Sequence, residues 1–413
     1  MPILLSHFID ACRWIGALLV LAVHANNLFL NLADIMTAPH GAAVYGWWFF
    51  VSFGLGHQAV VGFFAISGYL VGGAVLAMLR QRRAGLADYF VHRVTRIYIV
   101  LVPAMILTAA LDWVGRSYFG AGGAYDRPEL SHGGIVEFLG TMASLQKIWF
   151  ELYGSNGAMW SLSCEFWYYI TFPLLLLPFA TAYAPATRAA GFALGVVLLV
   201  FLATPPSWFL FGYLLWALGA LATLAPRPLM CSRWLALGLL VVALIPIRLL
   251  VRGPNLVAYP FLQDAADLLS GVLFLNLVVT VRFSDPKGWR LLHTPEHRRL
   301  ANFSFSLYCV HTPILVLGQG IADRAFGVGW SGALATPLHW WVMALAMFVS
   351  IAVAYVFSLL TEARTGAARR ALRAGLAPLI ENRRGAAPAE AERARAASVD
   401  CAERAPNAPV NAP

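Results

Sequence analysis

Long runs of apolar residues, separated by short polar segments, recur along the chain from residue 9 to residue 361. A helix needs about 20 mostly apolar residues to span a bilayer, and these runs meet or approach that length. They predict an all-α, polytopic membrane bundle of about ten transmembrane helices. The predicted spans are 9–30, 57–79, 97–113, 158–180, 188–204, 207–224, 234–250, 266–281, 300–321 and 338–361.

One further apolar segment, residues 43–56, is short for a span and contains Gly54 and Gly56 near its end. Its aromatic residues are of the kind that favours the headgroup zone of a membrane. The pattern predicts an interfacial or re-entrant segment that leads into the second span.

The composition points to the same class of protein. Hydrophobic residues make up 60% of the chain and charged residues only 12%, whereas soluble domains carry roughly 25% charged residues. The net charge of +9 does not require nucleic acid as a partner, because the basic residues are unevenly placed. With both termini in the cytoplasm, the chain obeys the positive-inside rule. Of its 29 Lys and Arg residues, the outer segments then hold only Arg116, Arg127, Lys147, Arg248, Arg252 and Arg324.

The chain changes character after its last apolar run. Residues 1–362 are predicted to form the membrane domain, and residues 363–413 a basic, largely disordered cytoplasmic tail rich in Ala, Arg, Glu and Pro. The first part of this tail is compatible with a helix on anionic lipid. From about Arg384 the composition predicts disorder.

The first span carries a stripe of polar residues. Arg13 and His24 are eleven positions apart, which on a helix is three turns plus about 20°, so they share one face about 16 Å apart. Ionisable groups inside a membrane are costly and usually line a pathway or a site. The alternatives are that Arg13 only anchors the helix at the headgroups and that His24 forms a helix–helix hydrogen bond.

Other spans carry polar residues with the same two interpretations, a binding site or a structural contact. Arg93 and Arg96 share a helix face at the inner side, where paired guanidinium groups suit phosphate but also fit a positive-inside girdle. Glu165 is predicted at a depth similar to that of His24, and contact between the two would hold the imidazole in one tautomer. Further candidates in the spans are Ser67, Tyr168 and His311.

Several classes of protein lack support in the sequence. It contains no phosphate-binding Walker loop, no HExxH zinc motif and no GxSxG nucleophile elbow. The five cysteines include no CxxC pair, so no metal site and no permanently bound cofactor are predicted.

Five segments in order resemble motifs of acyltransferase family 3, the integral-membrane O-acyltransferases. They are IDACRWIGALLVLAVH with its Arg-x10-His spacing, FFAISGYLV, RVTRIY, WSLSCEFWYYITFPLLL and FSFSLYCVHTPIL. They occur in this order within residues 9 to 322. The resemblance implies an enzyme of the bacterial inner (plasma) membrane that uses cytoplasmic acyl-CoA, with acetyl as the expected acyl group. It also implies that the acceptor is a hydroxyl of a cell-envelope or exported glycan or glycolipid.

The resemblance also implies roles for single residues. His24 would be the catalytic base, and Arg93 and Arg96 would meet the phosphates of CoA. Glu165 is assigned a catalytic role, and the remaining positions that match the motifs are assigned to substrate binding: Arg13, Ser67, Tyr168 and His311. The family usually has a second acidic residue where this chain has Phe166, which puts a role for two carboxylates in doubt.

The sequence leaves two other functions as alternatives. A membrane transporter would use the polar stripe of the first helix as a solute or proton path, and would show flux without turnover of acyl-CoA. A non-catalytic membrane scaffold would tolerate an apolar stripe. The ordered set of five motifs favours the enzyme over both.

Overall fold

A computed structural model of the protein describes residues 1–52, 55–120, 123–127, 130, 132–251 and 253–375. Two compact units divide the chain, residues 1–364 and 365–413. In the second unit, residues 365–375 are helical, and the segment after Arg384 that is predicted to be disordered lies outside the described residues. The longer helices of the first unit are α1 (Ile3–Phe29), α2 (Ala42–Phe50), α3 (Leu55–Ser67), α4 (Gly73–Arg80), α5 (Leu86–Phe119), α6 (Ile135–Met142), α7 (Trp160–Leu175), α8 (Pro185–Ala203), α9 (Phe209–Ala222), α10 (Arg233–Leu250), α11 (Gly253–Ala258), α12 (Leu262–Arg282), α13 (Pro295–Ala301), α14 (Ser304–Phe326) and α15 (Pro337–Leu360).

The prediction of an all-α polytopic bundle is confirmed. Nine helical segments in the described part of the chain are long and apolar enough to cross a membrane, and α9 is a shorter apolar helix. Each of the ten predicted spans overlaps one of these segments. The most buried of them is α14, which packs against α1, α5 and α15, while α8 and α10 lie at the periphery.

Two helices extend well beyond their predicted bounds. Helix α1 begins at Ile3, six residues before its predicted start, because Leu4 and Leu5 are buried in a cluster with residues of α10 and α12. Helix α5, which corresponds to the predicted span 97–113, runs from Leu86 to Phe119 without a break. Arg93 and Arg96 are therefore part of a continuous helix, and this fixes the direction in which they point.

The segment predicted to be interfacial or re-entrant is a separate short helix, α2. The buried guanidinium of Arg248 on α10 donates hydrogen bonds of 2.7 Å to the carbonyl oxygens of Trp48 and Phe49. A cation near a helix C-terminus satisfies carbonyl groups that have no partner within the helix. The sequence analysis counts Arg248 only among the basic residues of the outer segments. In the structure its side chain holds α2 against α10.

A five-residue π-helical turn, Gly68–Gly72, joins α3 to α4 where the chain meets α9. A Cβ atom added to Gly68 would lie 1.8 Å from the carbonyl oxygen of Trp216, and one added to Gly219 would lie 2.4 Å from the carbonyl oxygen of Ala65. The backbones are thus in direct contact. The glycines at this crossing therefore permit close helix packing.

Replacement of Gly68 by alanine is expected to destabilise the protein, because the new methyl group can be accommodated only by moving α9. Overpacking of this kind costs about 1–3 kcal/mol or more. The thermal unfolding midpoint in detergent should fall clearly for Gly68→Ala. The matched control is Gly238→Ala on α10, where an added Cβ meets no atom within 4 Å. Equal midpoints for the two variants would contradict the proposed contact.

The loop before α7 is hydrogen-bonded to two central helices, α5 and α14. Asp112 of α5 accepts hydrogen bonds from the backbone nitrogen and hydroxyl of Ser155, at 2.8 and 2.5 Å. Asn156 donates through its Nδ2 to the carbonyl oxygen of Cys309 on α14, at 2.8 Å. These buried polar contacts fix the start of α7 and therefore the positions of the side chains that follow it.

Candidate functional site

A cavity of about 350 Å³ opens among α1, α3, α5, α7 and α14. Its lining brings together five of the polar residues that the sequence selects, from four different helices: Arg13, Ser67, Arg93, Arg96 and Glu165. Apolar and aromatic side chains complete the walls. Three cations and one acidic side chain give the lining a net positive charge.

The arginines approach the cavity from two helices. Arg93 and Arg96 lie three residues apart on α5, and Arg13 comes from α1, where its Nη2 is 3.4 Å from the hydroxyl of Ser304. The guanidinium carbon of Arg93 lies 5.9 Å from the ring centroids of both Tyr89 and Tyr169. Its Nε has no hydrogen-bond partner among the described residues. Planar, forked guanidinium groups around one cavity suit a ligand that carries phosphate.

The sequence does not identify one acidic residue at this site, Glu362. Its carboxylate accepts hydrogen bonds from Arg96 at 3.4 Å and from the backbone nitrogen and hydroxyl of Ser306 at 3.3 and 3.1 Å. Glu362 directly follows the last apolar run, where it could be taken for the start of the tail. A lone carboxylate at the end of a span is the signal that could have identified it.

Glu165 is held at the cavity wall by a directed chain of hydrogen bonds. The hydroxyl of Tyr169 donates to Glu165 Oε1. Because Tyr169 has only one hydroxyl hydrogen, Ser67 must be the donor in the 3.0 Å contact between the two hydroxyl groups. Trp216 Nε1 in turn donates to the hydroxyl of Ser67 at 3.1 Å. In this series of hydrogen bonds, from Trp216 through Ser67 and Tyr169, each donor points towards Glu165, and the last bond fixes the position of Glu165 Oε1.

Tyr168 does not line this cavity, although the family resemblance assigns it to substrate binding. Its side chain is fully buried, and its hydroxyl donates to the carbonyl oxygen of Phe209 at 2.6 Å. The neighbouring Tyr169 takes the position at the cavity instead. The two rings lie about 100° apart around α7, so a helix rotation that the sequence does not define decides which of them faces the ligand.

His24 lies beside His311, outside the lining of the cavity. The ring centroids of the two histidines are 5.1 Å apart. His311 is buried, and its Nδ1 lies 3.0 and 2.9 Å from the carbonyl oxygens of Leu307 and Tyr308. Carbonyl oxygens only accept, so Nδ1 carries the hydrogen of the neutral ring. The Nε2 atom, which is then left with a lone pair, has no partner among the described residues.

Tyr308 connects the cavity to the histidine pair. It lines the cavity, and its ring centroid is 6.1 Å from that of His311. The hydroxyl of Tyr308 donates to the carbonyl oxygen of Ala158 at 2.5 Å and accepts from Ser161 at 2.6 Å. A continuous line of side chains therefore runs from the cavity through Tyr308 and His311 to His24.

A direct pair between Glu165 and His24 is not part of this arrangement. No hydrogen bond or ion pair joins them among the described residues, since Glu165 is bonded to Tyr169 and the imidazole of His24 neighbours that of His311. Glu165 lines the cavity, whereas His24 lies outside its lining. The orienting role that the sequence offers for Glu165 therefore does not apply to His24 in this structure.

Comparison with known proteins gives the activity class. The model of the family 3 acyltransferases, described as an acyltransferase domain, matches residues 6–359. The acyltransferase MdmB from Streptomyces mycarofaciens is 25% identical over 371 residues, which cover 81% of this chain and 86% of that protein. An uncharacterized protein from Haemophilus influenzae is 27% identical over 118 residues, 28% of this chain and 47% of its own length. No solved structure matches the chain significantly.

The family match covers all of the long membrane helices except the first residues of α1 and the last residue of α15. It also includes every candidate residue of the cavity and the histidine pair, apart from Glu362. This chain therefore belongs to the family 3 acyltransferases and is an integral membrane protein.

Proposed function

We propose that this acyltransferase moves an acetyl group from cytoplasmic acetyl-CoA to a hydroxyl of a cell-envelope or exported glycan, in the bacterial inner membrane. One observation carries the proposal: three arginines line a cavity that connects through Tyr308 to a pair of histidines. We call this cavity the donor cavity. Its arginines would bind the phosphates of CoA, and His24 would act on the acceptor hydroxyl.

The depth of the two groups supports this division of roles. Arg13 and His24 are separated by about 16 Å along α1, and the pantetheine arm of CoA separates its phosphates from its thioester in a similar way. A donor bound by the arginines would thus extend its thioester towards Tyr308 and the histidines. The positive-inside pattern supports a cytoplasmic position for the arginines, where acyl-CoA would be available.

The reaction needs one base and one bound thioester. His24 takes the proton of the acceptor hydroxyl while the hydroxyl oxygen attacks the thioester carbonyl carbon. The carbon–sulfur bond then breaks, and the CoA thiolate leaves and takes up the proton that His24 had removed, which restores the neutral imidazole. His311, whose Nδ1 is fixed by two backbone carbonyl groups, would position the ring of His24.

The proposal is tested by release of CoA from acetyl-CoA, with purified protein in nanodiscs and with a membrane glycan extract as the acceptor. CoA release and transfer of labelled acetyl to the extract are both expected. Solute or proton flux in liposomes without CoA release would favour the transporter instead. Acetyl transfer to protein or lipid, but not to glycan, would leave the donor part of the proposal intact and overturn the acceptor part.

Replacement of Tyr169 by phenylalanine is expected to lower kcat/KM roughly tenfold, because Glu165 loses a hydrogen bond of the charge-assisted kind. The adjacent Tyr168→Phe variant provides a matched control. It removes a hydroxyl that bonds to the backbone of α9, so it should lower the unfolding midpoint but leave kcat/KM nearly unchanged. A larger loss of activity in Tyr168→Phe than in Tyr169→Phe would reverse the assignment of the two residues.

A further inference from the structure

A second cavity, here called the apolar groove, lies among α1, α3, α10 and α12 and has a volume of about 270 Å³. Its walls are almost entirely hydrocarbon, and the polar side chains of Gln58 and Ser270 in them already form hydrogen bonds. Ser270 donates to Gln58 Oε1, and Gln58 Nε2 donates to Asp267 at 2.9 Å. The groove therefore suits an apolar ligand and offers little to a polar one.

The apolar groove and the donor cavity share a wall made of two side chains. Phe63 and Ile66 line both. The ring of Phe63 packs directly over Gly16 of α1, where an added Cβ would lie 2.8 Å from Phe63 Cζ. Two side chains thus separate a space lined by arginines from one lined by hydrocarbon.

Phe63 stands at the end of the donor cavity where the thioester is expected. Its ring centroid is 6.4 Å from that of Tyr308, the residue that leads to the histidines. Since α3 reaches Phe63 one turn before Ser67, Phe63 lies towards the end of the cavity predicted to face outward. The carbons of an acyl group beyond the thioester carbonyl would therefore meet Phe63.

We propose that Phe63 sets the length of the acyl chain that the enzyme accepts, by closing the donor cavity against the apolar groove. This inference rests on the proposed function. The ligand of the opened groove is the hydrocarbon chain of a medium-length acyl donor. With Phe63 in place, the cavity holds a short acyl group and excludes a longer one.

The test is the rate of CoA release from acetyl-, butyryl- and octanoyl-CoA by the wild-type protein and by Phe63→Ala in nanodiscs. The wild type should prefer acetyl-CoA. The octanoyl-to-acetyl rate ratio should rise at least about tenfold in Phe63→Ala, since even one methylene group changes the selectivity of an apolar pocket by roughly 10- to 200-fold.

A second substitution identifies the groove as the space that takes the chain. Gly62 lines the apolar groove but not the donor cavity, and an added Cβ there meets only Phe274, at 3.9 Å. In the double variant Phe63→Ala with Gly62→Leu, the new leucine should fill the groove and return the rate ratio towards the wild-type value. Phe63→Leu, which removes less volume, covers the case in which Phe63→Ala does not fold.

The possible results separate this inference from the proposed function. Acetyl-CoA turnover with an unchanged rate ratio in both Phe63 variants would overturn the role of Phe63. A wild type that already uses octanoyl-CoA as well as acetyl-CoA would do the same. Persistence of the raised ratio in the double variant would exclude the groove as the binding space. Absence of CoA release from every donor would instead refute the proposed function itself.

Discussion

His24→Ala is expected to lower acetyl transfer by about 10²- to 10⁴-fold, the usual contribution of a positioned general base. The reason is that the proposed step requires a group that removes the hydroxyl proton as the oxygen attacks the thioester. The KM for acetyl-CoA should change little, because His24 lies outside the lining of the donor cavity. The measurement is the rate of labelled acetyl transfer at saturating acetyl-CoA.

Two further variants distinguish loss of a base from loss of packing. His24→Gln keeps a polar side chain of similar reach but cannot act as a base, so it should be as inactive as His24→Ala. His311→Gln should lose less activity, because His311 is proposed only to position His24. Full activity of His24→Gln would remove His24 from the mechanism, and a greater loss in His311→Gln would make His311 the base.

Arg93→Ala is expected to raise the KM for acetyl-CoA by about 10- to 100-fold, because a hydrogen bond to a charged group contributes roughly 1.5–3 kcal/mol. Arg93 has the strongest case among the three arginines. Its Nε has no partner among the described residues, whereas Arg96 is engaged by Glu362 and Arg13 by Ser304. The change in kcat should be small, since the phosphates lie far from the reacting carbonyl group.

The donor itself provides the control for this prediction. S-acetylpantetheine lacks the nucleotide phosphates, so the wild type and Arg93→Ala should use it equally poorly. Arg80→Ala removes an exposed arginine at the predicted cytoplasmic side that does not line the cavity, and it should leave the KM unchanged. An equal loss with acetyl-CoA and S-acetylpantetheine would show that Arg93 supports the fold and does not bind phosphate.

The class of fold follows from the sequence because the bilayer imposes it. A chain in hydrocarbon must satisfy its backbone groups within each spanning segment, so an apolar run of sufficient length predicts a helix without knowledge of its neighbours. Nine of the predicted spans fall on helices long enough to cross a membrane, and the tenth falls on the shorter apolar helix α9. Their ends are less well predicted, since α1 begins at Ile3 because of its packing partners and α5 keeps its helix through a charged segment.

The site is predicted in part. Arg13, Arg93 and Arg96 are identified by their positions along single helices, and the structure brings them to one cavity with Ser67 and Glu165. Tyr168 lies outside the cavity and Tyr169 lines it, an arrangement that depends on the rotation of α7 against α9 and is not contained in the sequence. Glu362 is missed because its partners, Arg96 and Ser306, belong to helices distant in the sequence.

The sequence by itself determined what depends on local or one-dimensional physics: the helical spans, the excess of basic residues on one side, and the shared face of Arg13 and His24 on one helix. Only the tertiary structure decided which side chains meet. It placed His24 beside His311 and not beside Glu165, and it set Phe63 between two cavities. The reason is that contacts between helices depend on their rotation and crossing, which the apolar pattern leaves open when lipid and protein interior are equally apolar.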